Sequence, residues 1–289
     1  MGFKKLLASV TTLGFGGLTT GFASAQTMLD GLEIRGAPVD RETGFQVAAT
    51  ELARDIHWLD NFLLIIISAI SLFVLALLLI VIVRYNSRAN PEPAQFTHNT
   101  PIEVAWTIVP VVILVFIGAF SLPVLFKQGE IPEADVTIKV TGFQWFWGYE
   151  YVDEGFGFES FILERDQLEE FGYSQDEYLL ATDTAMVVPT GKNIVIQVTG
   201  ADVIHAWTVP AFGVKQDAVP GRLAELWFNV DEGQEGIYFG QCSELCGQGH
   251  AFMPITVKAV TQEAYDAWVA QSAEQLASAP ASFRVAVND

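Results

Sequence analysis

Two long apolar runs without a charged residue constrain the fold of this chain more than any other feature. The first extends from Phe62 to Val83 and the second from Val104 to Phe126, which are 22 and 23 residues. A helix rises ~1.5 Å per residue, so each run is long enough to cross a hydrocarbon core of ~30 Å. A buried helix of a soluble protein is the alternative, but uncharged runs of this length disfavour it. The sequence therefore predicts a two-helix transmembrane hairpin, with helices at 59–83 and 104–126.

The charges around these runs predict the orientation of the chain. Arg84 and Arg88 directly follow the first run, and positively charged loops remain on the cytoplasmic side of a bacterial membrane. The loop 84–103 is therefore predicted to be cytoplasmic. Residues 1–25 have a basic start, an apolar middle and an Ala-Ser-Ala cleavage site, which is typical of a signal peptide, although a third membrane anchor is the alternative. We expect an inner (plasma) membrane protein whose segment 26–58 and C-terminus are both periplasmic.

The charge of the chain is concentrated after the second apolar run. The formal net charge is −19 although 51% of the residues are hydrophobic. From residue 127 onward, 25 acidic residues oppose 8 basic ones, a balance of −17. Nucleic acid is therefore excluded as a partner, because phosphate binding requires clustered Lys and Arg. An acidic surface suits a basic protein partner, although solubility alone would also account for it.

The segment 127–260 has the pattern of an all-β domain. Short β-type runs alternate with Gly-containing turns, which is typical of an antiparallel sandwich or barrel. These runs are Val136–Val140, Met186–Pro189, Asn193–Val198 and Leu226–Val230. The acidic stretch 153–178 is expected to leave the sheet. A helix with one apolar side is predicted from 261 to about 277, within a C-terminal helix and tail at 261–289.

The strongest chemical signal is the segment Cys242-Ser-Glu-Leu-Cys246-Gly-Gln-Gly-His250-Ala-Phe-Met253. Two thiols, an imidazole and a thioether follow a strand predicted at Ile237–Phe239, and soft sulfur ligands combined with imidazole select copper. A single-copper site needs only one cysteine, whereas two thiolates can bridge two copper ions and share one electron between them. His205 is the candidate for a second histidine, because it follows the strand predicted at 193–198.

A zinc site and a disulfide are also compatible with the residue types of this segment. Zinc would use both cysteines, His205 and His250, but it would leave Met253 without a role. A disulfide between Cys242 and Cys246 is possible in an oxidising compartment, although so short a loop would strain it. We expect copper rather than either alternative.

With these motifs, the chain resembles subunit II of haem–copper cytochrome c oxidases of the alphaproteobacterial and mitochondrial type. The resemblance extends from the first helix to about Trp268. It includes Phe96-Thr-His-Asn-Thr-Pro-Ile-Glu103, Gln144-Trp-Phe-Trp147 and the cysteine segment. It implies a cupredoxin-like Greek-key β-barrel that holds a dinuclear centre called copper A. The implied ligands are His205, Cys242, Cys246, His250, Met253 and the backbone carbonyl of Glu244. The Glu244 side chain would bind a magnesium ion shared with subunit I, and oxygen ligands suit that ion.

The resemblance also implies roles for residues outside the ligand set. Trp145 would be the electron-input contact for cytochrome c. The alternation of Trp145, Trp147, Tyr149 and Tyr151 predicts one face of a strand, and such an aromatic stripe is by itself usually core. This chain has Phe143 and Phe146 where the family commonly has His and Tyr, so a hydroxyl at 146 has no role here. The acids that match the cytochrome c docking surface are Glu150, Glu159, Asp183 and Asp202. Glu103 would stand at the entrance of a proton pathway, and a helix-start acid is the alternative.

The function implied by the resemblance is that of an electron-input subunit. It would accept electrons from cytochrome c and pass them to haem in subunit I, which reduces oxygen to water and translocates protons. Subunit I, subunit III, cytochrome c and membrane lipid are the implied partners. A quinol oxidase subunit II would lack the copper ligands. A membrane-anchored copper chaperone would require a thioredoxin-like βαβ pattern, which this sequence does not have, and a sensor domain would not need the soft ligands.

Overall fold

A computed structural model describes residue 29 and residues 31–278, so the predicted signal peptide lies outside the described residues. Helix α1 (Glu51–Arg84) and helix α2 (Thr100–Gly129) contain the two apolar runs and have exposed surfaces over most of their length. The prediction of two helices able to span a membrane is confirmed. Both helices extend beyond the predicted bounds 59–83 and 104–126, because polar caps rather than the ends of the apolar runs set their limits.

The two helices contact each other through aromatic side chains near the end that adjoins the β-domain. The rings belong to Trp58, Phe62, Phe116 and Phe120, and the centroids of the three pairs between the helices lie 5.3–5.9 Å apart in tilted arrangements. Such pairs contribute to association beyond the area that they bury. The hairpin therefore has a defined contact at the base of the β-domain.

A set of polar contacts fixes the first turn of α1 to the β-domain. The Thr50 hydroxyl caps the helix by accepting a hydrogen bond from the Ala53 N–H, and it donates to the carbonyl of Phe212 at 2.8 Å. Lys127, in the last turn of α2, forms salt bridges with Glu51 and Asp55 of α1. These contacts hold both membrane helices against the outer domain.

Within residues 31–278, the outer domain contains eleven short strands in two main sheets and one hairpin. In chain order the strands are β1 (Ile34–Gly36), β2 (Val136–Phe143), β3 (Phe146–Tyr151), β4 (Phe156–Ser160), β5 (Met186–Pro189), β6 (Ile194–Gly200), β7 (His205–Val209), β8 (Val214–Ala218), β9 (Ala224–Phe228), β10 (Gly236–Gln241) and β11 (Pro254–Val260). One sheet has the order β1-β10-β11-β5, a second has β4-β3-β2-β6-β9, and β7 pairs with β8. The strands predicted from the sequence are present.

Three expectations for this domain were wrong. The sheets are not purely antiparallel, because β1 with β10, β2 with β6 and β5 with β11 are parallel pairs. The acidic stretch 153–178 does not leave the sheet at once: its Phe156–Ser160 forms β4, and Phe156 is buried. Trp145 does not share a strand face with Trp147, since β3 begins only at Phe146.

The core lies between the two sheets and continues under the C-terminal helix. Trp147, Tyr149 and Tyr151 alternate along β3 and are all buried. Helix α3 (Gln262–Ser278) covers this end of the core, with Trp268 packed at 5.1 Å from the Tyr151 ring. The predicted C-terminal helix is therefore confirmed.

Candidate metal centre

The cysteine segment is the connection between two paired strands. β10 ends at Gln241 and β11 begins at Pro254, and the two strands are antiparallel neighbours. The Ser243 N–H donates to the carbonyl of Ala206 at 3.0 Å, which ties the connection to the start of β7. Since β7 begins at His205, this contact brings a histidine from a distant part of the chain beside Cys242.

The sulfur and nitrogen atoms of the predicted ligands converge. The Sγ atoms of Cys242 and Cys246 lie 3.9 Å apart. The Nδ1 atom of His205 lies 3.9 Å from Cys242 Sγ, and the Nδ1 atom of His250 lies 3.6 Å from Cys246 Sγ. The Met253 Sδ atom lies 3.5 Å from Cys246 Sγ. Each thiol therefore lies within 4 Å of an imidazole nitrogen, and the thioether adjoins Cys246.

This arrangement fits copper better than the two alternatives. Both cysteines are free, so the disulfide is not formed. Bonds of ~2.0–2.3 Å to one tetrahedral zinc would bring every pair of ligand atoms within about 4 Å. Among the described residues, only His205, Cys242 and Cys246 have ligand atoms that are all within 4.8 Å of one another. His250 stands beside Cys246 outside that group, and the soft Met253 sulfur is already inside the cluster. Two cysteine–histidine pairs plus a thioether suit two soft ions.

The protein surroundings prepare one thiol for metal binding. Burial alone would raise the pKa of Cys242, but its hydrogen bonds with His205 and with the backbone of Glu244 and Ala206 outweigh burial and lower that pKa to about 6. Burial raises the pKa of Cys246 to about 12, and the neighbouring Cys242 charge acts in the same direction. One thiolate is therefore present at neutral pH, and the second thiol loses its proton when a metal binds.

His205 is completely buried and is bounded on several sides. A Cβ atom added to Gly142 would lie 2.8 Å from the His205 ring, so only glycine allows this approach of β2. Trp147 presents its ring edge-on at 5.9 Å, while its Nε1–H donates to the carbonyl of Met253 at 3.1 Å. The Nε2 atom of His205 lies 2.9 Å from Oδ1 of Asp202. The imidazole therefore has little freedom to turn.

The turn between β2 and β3 covers the other cysteine. The Gln144 side-chain amide donates to the carbonyl of Cys246 at 2.8 Å, and the Trp145 indole N–H donates to the same oxygen at 3.3 Å. The Trp145 ring rests on Gly249, where an added Cβ would lie only 2.4 Å from the ring. Trp145 is 36% exposed. The structure thus brings a surface indole into direct contact with the cysteine segment.

An apolar depression surrounds the exposed edge of Trp145. It is lined by Gln144, Trp145, Phe146, Phe161, Gln248, Gly249 and Phe252. Phe143, Phe146 and Phe161 form a stack with successive centroid distances of 4.7 and 4.6 Å. Phe143 and Phe146 therefore extend the apolar surface around the indole.

Glu244 lies between the two cysteines and is exposed, and its carbonyl oxygen is 3.3 Å from Cys242 Sγ. The structure therefore brings this carbonyl to the cluster. Glu103 is placed elsewhere, in the first turn of α2. Its carboxylate accepts the backbone N–H of Asn99 at 3.0 Å, and the Asn99 side chain accepts from Ile102. This is a reciprocal cap, so the residue has a local structural contact whatever else it does.

The proposed docking acids differ in their surroundings. Glu150 forms a salt bridge of 3.1 Å with Lys139 of the neighbouring strand, and Glu159 is exposed on β4. Asp183 is partly buried and accepts the backbone N–H of Phe161 at 2.8 Å. Burial raises the pKa of Asp183 to about 6.

Asp202 is more closely connected to the metal centre than the other three acids. Burial alone would raise its pKa, but hydrogen bonds from His205 and from the backbone of Val203 and Gln144 lower it. Its carboxylate is therefore ionised at neutral pH, directly beside a candidate ligand.

Sequence reasoning missed several residues that build this site. Gln144 and Trp147 contact the cysteine segment across more than a hundred residues, and Gly142 and Gly249 provide space for the rings. The compact Gln144–Trp147 motif was visible in the sequence, but only the fold shows that it touches Cys246 and Met253.

Comparisons with known proteins match both the helical and the β-rich region of the chain. Residues 136–260 match the family described as cytochrome c oxidase subunit II, periplasmic domain, and residues 38–124 match cytochrome c oxidase subunit II, transmembrane domain. Cytochrome c oxidase subunit 2 of Cereibacter sphaeroides is 60% identical over 273 residues, which covers 90% of this chain and 89% of that protein. The probable cytochrome c oxidase subunit 2 of Rickettsia bellii (strain RML369-C) is 43% identical over 234 residues, covering 81% and 85%.

A solved structure is also similar. It is the periplasmic domain of subunit II of cytochrome oxidase of Bradyrhizobium japonicum, which is 48% identical, with a TM-score of 0.45, and covers 50% of this chain and 99% of that chain. With both regions matched, the predicted two-helix hairpin with an all-β, cupredoxin-like domain is confirmed. The chain belongs to the cytochrome c oxidase subunit II family.

Proposed function

We propose that this chain receives electrons from cytochrome c and delivers them to the haem-bearing subunit I of the same complex. As a subunit II, it is part of a haem–copper oxidase and provides the copper A site for electron input. When bound, two copper ions would supply a one-electron redox couple. The observation that carries the proposal is the pairing of two thiols 3.9 Å apart with one imidazole each.

The residues proposed to hold the copper ions supply soft donors from two parts of the fold. They are His205, Cys242, Cys246, His250, Met253 and the carbonyl of Glu244. The side chains of His205, Cys242, Cys246 and Met253 are buried, which excludes water from most of the site. A buried and closely packed set of donors favours a small change of bond lengths on electron transfer, because the ligands cannot relax far.

The surface proposed for cytochrome c is centred on Trp145. One edge of its indole lines the solvent-exposed depression, and its N–H donates to the carbonyl of Cys246. A single residue therefore connects the protein surface to a proposed ligand. Glu150, Glu159, Asp183 and Asp202 would attract the basic surface of the partner, since complementary charge accelerates encounter.

Further assignments follow from the family and complete the proposal. The chain would lie in the inner membrane with its β-domain and both termini in the periplasm and with the loop 84–103 in the cytoplasm. The Glu244 side chain would bind magnesium at the contact with subunit I, and Glu103 would stand at a proton-pathway entrance. Reduction of oxygen to water and proton translocation would take place in subunit I. Subunit III and lipid would contact the exposed apolar faces of α1 and α2.

Electron paramagnetic resonance of the purified oxidase tests the copper site. One unpaired electron shared by two equivalent copper nuclei gives a seven-line pattern, whereas one copper gives four lines. We expect seven lines in the wild type and their loss in Cys246→Ser. Ser243→Ala, an exposed change in the same segment, should retain them. A wild-type enzyme with a four-line copper signal would refute the dinuclear site, and an enzyme without copper in this subunit would refute the proposed function.

A further inference from the structure

The carboxylate of Asp202 connects three separate pieces of the candidate metal centre. Its Oδ1 atom is 2.9 Å from Nε2 of His205 and accepts the Val203 N–H at 2.6 Å. Its Oδ2 atom accepts the backbone N–H of Gln144 at 2.8 Å. Both oxygen atoms are therefore engaged, and the side chain is only 34% exposed. An acid that served only to attract a partner would not need these contacts.

These contacts determine which nitrogen of His205 is available to a metal. An ionised carboxylate can only accept hydrogen bonds, so Nε2 must carry the proton that it donates to Asp202. Nδ1, the atom that lies 3.9 Å from Cys242 Sγ, is then the nitrogen that can give up its hydrogen bond to the thiolate and offer a lone pair when a metal binds. A ligating histidine is commonly oriented in this way by an acceptor on its other nitrogen, which also makes the imidazole a stronger donor.

The same carboxylate links this ligand to the turn that carries Trp145. Gln144 donates to Asp202 through its backbone N–H and to the Cys246 carbonyl through its side chain. The turn is therefore bonded to both halves of the cluster, on the His205 side through Asp202 and on the Cys246 side directly.

We infer that Asp202 is a positioning residue of the copper centre, which holds His205 in its metal-binding orientation and couples it to the electron-input turn. The inference rests on the proposed function, because it assumes that His205 is a copper ligand. It assigns Asp202 a role that Glu159, the exposed acid on β4, does not share.

A docking role and a positioning role for Asp202 predict different properties of the copper centre when cytochrome c is absent. An acid that only steers a partner affects association and its salt dependence, and leaves the copper unchanged. A positioning acid affects the copper itself. Removing the carboxylate weakens electron donation by the imidazole, which stabilises the oxidised ion less, so the reduction potential should rise. Loss of an orienting partner should also lower copper affinity about 10- to 100-fold.

The test uses the purified intact oxidase with Asp202→Asn and, as the matched acid, Glu159→Gln. Without cytochrome c, we would measure the copper resonance spectrum, the reduction potential and the retention of copper against a chelator. We expect Asp202→Asn to raise the potential, alter the histidine hyperfine coupling and lose copper more readily. Glu159→Gln should leave all three as in the wild type. An Asp202→Asn enzyme with wild-type values, changed only in its reaction with cytochrome c, would overturn the inference.

A second variant covers the case in which Asp202→Asn does not assemble. Asp202→Glu keeps the charge and moves the carboxylate by one methylene group, so a docking acid would tolerate it. A shifted potential and altered spectrum in Asp202→Glu support positioning, and wild-type values overturn it. Failure of the proposed function is distinguishable, because the wild-type enzyme would then lack the two-copper spectrum whatever stands at 202.

Discussion

At the level of single residues, the carbonyl oxygen of Cys246 is the main contact between the surface turn and the metal centre. It accepts two hydrogen bonds from that turn. Gln144 donates through its amide at 2.8 Å and Trp145 through its indole at 3.3 Å. The indole ring lies against Gly249, so neither group has room to move away without disturbing the other. Trp145 is therefore held in place by the cysteine segment that it contacts.

Replacing Trp145 by Gln should slow electron input by an order of magnitude or more while changing association with cytochrome c little. The substitution removes the aromatic contact and no charge, and charge governs the encounter rate. Stopped-flow reduction by cytochrome c at saturating and limiting concentrations separates the two steps. Phe161→Gln is the control, because this ring is similarly exposed in the same depression without a bond to the cysteine segment. Equal rates in both variants would show that Trp145 is merely a surface aromatic.

Asp183 predicts a pH dependence of stability. Burial raises its pKa from 3.8 to about 6, so the folded state binds this proton more tightly than the unfolded state. The protonated Asp183 therefore contributes to the free energy of unfolding fully below about pH 4. This contribution, ~3 kcal/mol at most, is lost as pH rises through about 6. In Asp183→Asn, the side chain is neutral at every pH in this range, and its oxygen can still accept the hydrogen bond from the Phe161 N–H.

Denaturant unfolding at several pH values measures this difference. The stability of Asp183→Asn relative to the wild type should increase between about pH 4 and pH 6 and then level off. Curves that stay parallel over this range would contradict the raised pKa.

The sequence predicted the site as far as its donors are local and chemically distinctive. Cys242, Cys246, His250 and Met253 lie within twelve residues, and sulfur beside imidazole has few uses. The partners that orient these donors, such as Asp202 and Gln144, are common residue types. Nothing in the sequence shows that they are close to the cysteines, because that proximity depends on how β2 and β7 pack.

At the level of elements, the start of α1 is a junction rather than a free helix end. Thr50 is completely buried, pairs with Val230 in an isolated β-bridge and caps the helix, and its hydroxyl also binds the Phe212 carbonyl. A Cβ atom on Gly213 would lie 2.7 Å from the Ala53 backbone. The helix therefore begins in direct contact with the loop that follows β7.

Removing the Thr50 hydroxyl should destabilise this junction. Thr50→Val keeps the shape but leaves the Ala53 N–H and the Phe212 carbonyl without their partner, for a loss of about 1–3 kcal/mol. Thermal unfolding of the purified oxidase should show a lower midpoint, and Thr50→Ser should recover most of it. Thr107→Val is the matched control, since that hydroxyl donates only to the Glu103 carbonyl within α2. An equal effect at both positions would argue against the junction.

The sequence failed to predict elements whose own residue pattern is short or is obscured by neighbouring charged residues. The acids around Phe156–Ser160 hid the alternating apolar residues of β4, which is stabilised by pairing with β3 and by packing against Trp268. β1 has three residues and was not predicted, because its formation depends on the exposed edge of β10. The apolar runs located both membrane helices but not their ends, which are set by Thr50 and Asn99.

At the scale of the whole molecule, the excess of acid after residue 127 predicts salt-dependent reaction with cytochrome c. Salt shortens the Debye length to ~8 Å at physiological ionic strength, so the second-order rate should fall as salt rises. Neutralising Glu150 and Glu159 together should lower the rate at low salt and flatten its salt dependence, with each charge worth up to ~1 kcal/mol.

Steady-state and stopped-flow rates across a salt series test this expectation. Glu92→Gln is the control, because Glu92 lies in the connection between α1 and α2 rather than in the β-domain. A rate that does not change with salt would remove the electrostatic basis for docking and leave the copper site unaffected.

The junction between the helices and the β-domain also has a geometric consequence. With 34 and 30 residues, α1 and α2 are ~51 and ~45 Å long, so both extend beyond a hydrocarbon core of ~30 Å. Trp227 of β9 donates to the Lys127 carbonyl at 3.2 Å, and the Lys127 side chain forms salt bridges with α1. The β-domain is therefore attached to the adjoining ends of both helices. Electron tunnelling weakens steeply with distance. The junction therefore acts as a spacer. It fixes the height of the metal centre above the bilayer, and with it the distance over which an electron must tunnel.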